Sequence, residues 1–157
     1  MAIHIVLYQP LIPANTGNIA RSCAATGVKL HLIRPLGFST EDKMLKRAGL
    51  DYWEHVDISY YDSLDELFAK FEDGEFYYIT KFGTKPHSSF DFSAIERDHF
   101  FVFGRETTGL PDELIERNLD RCLRIPMNDN VRSLNLSNTA AILMYEALRQ
   151  QDYPGIK

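Results

Sequence analysis

The chain of 157 residues has the length of one ordinary domain, enough for a single sizeable core. With 45% hydrophobic and 25% charged residues it has a globular composition rather than a disordered or fibrous one. A formal charge of -5 excludes nucleic-acid binding through overall charge, although two local basic groups, Lys43/Lys46/Arg47 and Lys81/Lys85/His87, stand against that background and read first as solvated faces.

In chain order, "MAIHIVLYQP" lacks a basic start and a cleavage pattern, so it reads as a buried strand over Ile3 to Tyr8 rather than a signal peptide. After Pro13 the spacing predicts a helix from Asn15 to Ala25, with Ile19, Ala20, Cys23 and Ala24 on one stripe and Gly27 ending it. "KLHLIRP" alternates and stops at proline, which predicts a strand. "TEDKMLKRAG" predicts a short helix from a Thr40 cap to Gly49, and "YWEHVDISYY" a strand. Ser63 stands three residues before Glu66, the capping-box spacing, ahead of an apolar helical face. "EFYYITKF" and "HFFVFG" are aromatic-rich strand candidates, "LPDELIERN" a short helix, "RCLRIP" a strand, and Thr139 to Gln151 the last helix. No apolar run approaches the ~18 residues of a membrane helix. Cys23 and Cys122 are too far apart in sequence for a disulfide framework or a paired zinc spacing, so a reduced, cytoplasmic setting is expected.

Strands alternating with helices predict one α/β domain, a mainly parallel sheet with helices on both faces. Ligands of such sheets lie beyond the carboxyl ends of the strands. Three loops stand there: "QPLIPANTGNIAR", "FGRETTGLP" and "IPMNDNVRSLNLSN". All three are rich in Gly, Asn, Ser or Thr, which suit sharp turns and close backbone approach. None is a P-loop or a G-x-G-x-x-G cradle, and H-E-x-x-H, C-x-x-C and G-x-S-x-G are missing, so no metal and no α/β-hydrolase elbow is expected. Each loop also has a plain structural reading: Asn15 as a helix cap, Gly104 and Gly109 in tight turns, Ser137 as the cap of the last helix, Ser133 and Asn135 on the solvent side of an edge strand. Arg21 falls about 130° from the middle of the apolar stripe of its helix and points away from the core. It is either an ordinary surface arginine or a cation aimed at a phosphate or a developing oxyanion.

With these loops in this order the sequence resembles the SPOUT superfamily of knotted RNA methyltransferases, and within it the tRNA (cytidine/uridine-34)-2'-O-methyltransferase family. The resemblance runs from "IVLYQPLIPANTGNIARSCAATG" through "KRAGLDYW" and "FGRETTGLP" to "RIPM", "RSLNLSN" and "YEALRQ". It implies one SPOUT domain over residues 1–157 with a deep C-terminal trefoil knot, binding S-adenosylmethionine. It also implies a cytoplasmic homodimer, with active sites at the interface, that methylates the 2'-oxygen of the wobble nucleotide of tRNA. By family match Ile79, Gly104, Ile125 and Ser133, with Met127 and Leu134 nearby, form the cofactor shell. Asn15, Arg21, Glu106, Ser133 and Asn135 match catalytic-motif positions, Glu106 holding either Arg21 or a loop amide. In "RSLNLSN", Leu134 and Leu136 are expected to anchor a threaded, buried segment while Ser133 and Asn135 face cofactor and substrate. The resemblance leaves two rivals open: methylation of another tRNA or rRNA site, and a knotted RNA-binding protein without transfer activity.

Overall fold

The run "IHIVLY" becomes an inner strand of a seven-stranded sheet in the computed structural model, which describes residues 2–43, 45, 47 and 52–157. The strands are β1 (Ile3–Tyr8), β2 (Lys29–Ile33), β3 (Ile58–Tyr61), β4 (Glu75–Ile79), β5 (Lys85–Pro86), β6 (His99–Phe103) and β7 (Cys122–Arg124). Their order is β3-β2-β1-β6-β4-β7-β5, and every pairing is parallel. Among the described residues, four α-helices are α1 (Pro13–Thr26), α2 (Leu64–Lys70), α3 (Asp112–Arg117) and α4 (Leu136–Gln150). An all-parallel sheet must be covered on both faces, which is why its strands read as nearly unbroken apolar runs. Ile3, Ile5 and Leu7 of β1 and Phe101 and Phe103 of β6 join Ile19 and Cys23 of α1 and Leu143, Met144 and Leu148 of α4 in one core. The intervening Val6, Phe100 and Val102 join Leu64, Leu67, Leu114 and Ile115 on the other face.

Most predicted elements occur, with shifted ends. Helix α1 begins at Pro13, and Gly27 ends it in the left-handed region at φ 80. Ser63 caps α2 by accepting from the Glu66 N–H, while the Glu66 carboxylate reaches back to the Asp62 N–H. The strand expected over Tyr52 to Tyr61 shrinks to its last four residues. Tyr52 and Trp53 are helical, and the His55 and Val56 amides turn back onto the Tyr52 and Trp53 carbonyls. Of the helix expected from Thr40 to Gly49, Lys43, Leu45 and Arg47 are helical, Thr40 and Glu41 lie in a turn, and residues 44, 46, 48 and 49 lie outside the described residues. Helix α4 starts at Leu136, three residues before the expected Thr139, because Asn135 rather than Ser137 caps it. Its buried stripe is Ala140, Leu143, Met144, Ala147 and Leu148; Ile142 packs partly against the core, and Tyr145 remains 46% exposed. Among the described residues no helix is long and apolar enough to cross a membrane. Both cysteines are free and buried, and burial pushes the Cys23 thiol up to about 12, which makes it inert.

A buried polar chain crosses the second core diagonally, from the amino end of β1 to the carboxyl end of β3. His4 stacks on Phe100 at 4.0 Å and meets His31 at 2.8 Å and Asp98 at 3.0 Å. His31 in turn meets the Tyr61 hydroxyl at 3.0 Å. One pair of neutral tautomers satisfies every contact: His4 donates from Nε2 to Asp98, His31 donates from Nε2 to His4, and Tyr61 donates to His31. Burial lowers the His4 pKa against the opposing pull of Asp98, and burial followed by the proximity of His4 takes His31 down to about 3. The unfolded chain then binds more protons than the folded one below about 6.5, so stability falls as pH drops from there toward about 3. Denaturant titrations should show a loss of about 1 kcal/mol or more between pH 6.5 and 5, above the main carboxylate range. A His31→Phe variant should lose much of that slope, and equal pH profiles for the two proteins would contradict the account.

Candidate active site

The carboxyl ends of β1, β6, β4 and β7 lie side by side, and the three polar loops leave from them. The tightest grouping is built on Glu106. Helix α1 begins with no side-chain cap and no acid in its first turn, and the Leu11 and Ile12 amides just before it need acceptors. Glu106 comes from the loop after β6 and supplies them. Its carboxylate accepts from the Leu11 N–H at 2.9 Å and the Ile12 N–H at 2.6 Å. Asn15, only 6% exposed, turns its amide nitrogen toward the same carboxylate at 3.5 Å. The Asn15 carbonyl oxygen accepts from the Asn135 side chain at 3.1 Å. Asn135 accepts at its own oxygen from the Ser137 N–H at 2.9 Å and so caps α4. One hydrogen-bond chain, Glu106–Asn15–Asn135, thus ties all three loops together. Of the two partners expected for Glu106, the loop amide is the one it has. Asn15 is not the cap of its helix, since Ile12 occupies that position.

Arg21 stands apart from this chain. It is exposed on α1, six residues beyond Asn15, which is about 9 Å along the axis and some 240° around it. Its guanidinium lies over the Tyr52 ring at 5.0 Å. The expected outward direction is correct, but within one chain the arginine does not join the Asn15/Glu106/Asn135 group.

The residues expected around a cofactor divide in two. Ile79 pairs in register with Phe103 and Leu123, so Ile79, Gly104 and Ile125 sit at the ends of three adjacent strands. Met127, Ser133 and Leu134 belong to a loop that is exposed from Pro126 to Asn135. There the expectation of a buried segment fails: Met127 is 42% and Leu134 37% exposed, and only Leu136 packs against the core. From Pro126 to Leu134 the backbone makes, among the described residues, one hydrogen bond, from the Asn130 N–H to the Asn128 side chain. Apolar side chains at strand ends beside unpaired amides and carbonyls fit an adenosine-bearing cofactor, whose base wants apolar walls and backbone partners.

Gly104 needs its missing side chain for a different reason from ligand approach. A Cβ there would lie 2.2 Å from the Gly109 carbonyl carbon and 2.4 Å from the Leu110 nitrogen. The loop closes on itself at this point through the paired bonds Arg105 N–H to Gly109 O, 3.1 Å, and Gly109 N–H to Arg105 O, 3.0 Å. Sequence reasoning also passed over Arg105 and Gln9, whose side chains bond to each other beside this closure; no spacing signal connects residues 96 positions apart. Gly104→Val should therefore damage the fold as well as the site. Overpacking of this kind costs about 1–3 kcal/mol, and a thermal melt indistinguishable from wild type would return Gly104 to a purely ligand-facing role.

Against known proteins, the model of the SpoU rRNA Methylase family matches residues 2–145. A Bacillus subtilis (strain 168) protein, provisionally named a tRNA (cytidine(34)-2'-O)-methyltransferase, is 69% identical across 100% of this chain and 98% of its own. A solved structure concerned with 2-OH methylation of C/U34 on tRNA superposes with a TM-score of 0.88 at 41% identity, covering 96% of this chain and 97% of that one. The SpoU methyltransferase AviRb from Streptomyces viridochromogenes, solved with AdoMet, shares the fold with a TM-score of 0.84 at 23% identity, over 99% of this chain and 59% of that one. A single-domain parallel α/β chain with this site and these matches belongs to the SpoU rRNA Methylase family.

Proposed function

We infer that the chain is an S-adenosylmethionine-dependent methyltransferase that modifies the ribose 2'-oxygen of the tRNA wobble nucleotide, cytidine or uridine 34. The observation that carries this reading is the end-to-end likeness to a relative named for that reaction, at 69% identity. The loops named in the resemblance also meet at one end of the sheet, which supports it. When bound, the cofactor supplies an electrophilic methyl group, so the protein has to place the 2'-oxygen in line with it and manage one proton. Ile79, Ile125, Met127 and Leu134 would wall the cofactor, while Ser133 and the unpaired amides around it would bond to it. Gly104 would serve by letting the loop between them close. Asn15 and Asn135, oriented by Glu106, would face the ribose.

A guanidinium offers five N–H donors and no acceptor, so Arg21 is not suited to take the 2'-hydroxyl proton. Its part would be to bind the phosphate beside the reacting ribose and stabilise negative charge growing on the oxygen. Because Arg21 lies away from the asparagines of its own chain, a complete site calls for a second copy, and we read the protein as a homodimer acting on tRNA in the cytoplasm. Tyr145, Met127, Val131 and Leu134, each at least 37% exposed, are candidates for cover by that copy. Lys81 and Lys85, exposed after β4, offer cations to the RNA backbone despite the net charge. The SPOUT unit would occupy the whole of residues 1–157. The return of α4 from the β7 side to the β1 side of the sheet, its end bonded to Phe90 and Phe92, supports a threaded C-terminus.

The test is single-turnover transfer of labelled methyl to tRNA, with the product nucleotide mapped. Arg21→Ala should lower the rate by about 10²–10³. It should cost at most about 1 kcal/mol of stability, the value of an exposed cation–π contact. Arg21→Lys should recover little, since a point charge lacks the guanidinium fork. Near-normal transfer by the alanine variant would reduce Arg21 to a surface residue, and label appearing away from nucleotide 34 would overturn the site assignment. Sedimentation at micromolar concentration should give a dimer; a monomer there contradicts the shared site.

A further inference from the structure

We propose that Arg105 is a positioning residue for methyl transfer: its guanidinium sets the turn after β1 and so aims the amides that Glu106 holds. The proposal rests on the methyltransferase reading and extends it to a residue with no assigned part. β1 leads into the site through Gln9, a non-glycine residue in the left-handed region at φ 48. L side chains rarely adopt that conformation unless their surroundings enforce it. The Gln9 N–H bonds to the Ile33 carbonyl at 3.0 Å, and the group that holds the Gln9 side chain is Arg105. Its Nε donates to the Gln9 side-chain oxygen at 2.8 Å, and Nη2 donates to the same oxygen. Nη2 also reaches the Tyr8 hydroxyl at 3.4 Å and Nη1 the Thr108 hydroxyl at 3.3 Å, while the guanidinium lies on the Tyr8 ring at 4.9 Å.

The backbone of Arg105 is itself fixed by the two-bond closure with Gly109, which Gly104 permits. Neighbouring residues of one closed loop therefore grip the same segment twice. Arg105 holds Tyr8 and Gln9 by their side chains, and Glu106 holds Leu11 and Ile12 by their amides. Release of the first grip lets the turn at Gln9 relax. The Leu11 and Ile12 amides then leave the Glu106 carboxylate, and Asn15 and Asn135 lose their common reference. Arg105 touches neither the reacting atoms nor the candidate cofactor shell beyond its own neighbour Gly104, so its effect is transmitted, not direct.

Two measurements decide this. The first is amide hydrogen exchange at Leu11 and Ile12 in the full-length protein, which needs no activity. Exchange should accelerate in Arg105→Met and in Arg105→Lys, whose ammonium cannot reproduce the fork; unchanged protection in both overturns the proposal. The second is single-turnover transfer to tRNA well below the melting temperature. Arg105→Met should be slower by a factor on the order of 10², the cost of a small misplacement of reacting groups, with S-adenosylmethionine affinity unchanged. Wild-type rates with only a lowered melting temperature would mean a purely structural arginine and overturn it. Gln9→Gly combined with Arg105→Met should be no slower than Arg105→Met alone, because both act on one turn; independent, multiplying losses contradict the route through Gln9. A wild type without transfer removes the methyltransferase reading and with it the positioning role, while faster exchange in the variants would still establish the clamp.

Discussion

One carboxylate holds the carboxyl end of this sheet together. Helix α1 starts at Pro13 with no cap of its own, and its positive end and leading amides face the space where the polar loops meet. Glu106 fills that requirement from 94 and 95 residues away, taking the Ile12 and Leu11 N–H groups on one carboxylate. Charge-assisted bonds of this kind are short and strong compared with neutral ones. Asn15 and Asn135 extend the same constraint into the last loop, so the beginnings of α1 and α4 are fixed relative to each other by side chains rather than by the sheet.

Two polar systems of the sheet are specialised differently. The His4–His31–Tyr61 chain, which runs from Asp98 at the amino end to the last residue of β3, has its three rings buried and is satisfied by one set of neutral tautomers. It contributes stability and a dependence on pH. At the carboxyl end polar groups remain open: among the described residues the 126–134 backbone makes one hydrogen bond, and the Arg21 guanidinium lies over the Tyr52 ring. Buried satisfied polarity belongs to the scaffold, and exposed unsatisfied polarity belongs to the site.

The order of elements was legible because each carries a local signal. The period of the apolar residues gave strand or helix, Gly27 and the Ser63/Glu66 pair marked helix ends, and the parallel sheet followed from alternation. The location of the site followed from the same reasoning, and Asn15, Glu106 and Asn135 do come together. Long-range geometry was less legible. Nothing local says that Glu106 takes amides rather than Arg21, or that Gly104 closes on Gly109 instead of a ligand. Asn135 was read as a substrate contact, yet its oxygen also caps α4, which moved the start of that helix. The burial expected of "RSLNLSN" is not a property of the single chain, where Arg132 to Asn135 lie exposed.

That openness and the isolation of Arg21 from Glu106 lead to the central claim, a site divided between two copies of the chain. The direct measurement is transfer to tRNA by a co-expressed mixture of Arg21→Ala and Glu106→Ala chains, each inactive by itself. In a symmetric dimer with the two residues supplied by different chains, each mixed dimer regains one intact site, about a quarter of all sites in a random mixture. Recovery to that level is the result the account predicts. No recovery in a mixture shown to contain mixed dimers would place Arg21 and Glu106 in the same chain's site and contradict it.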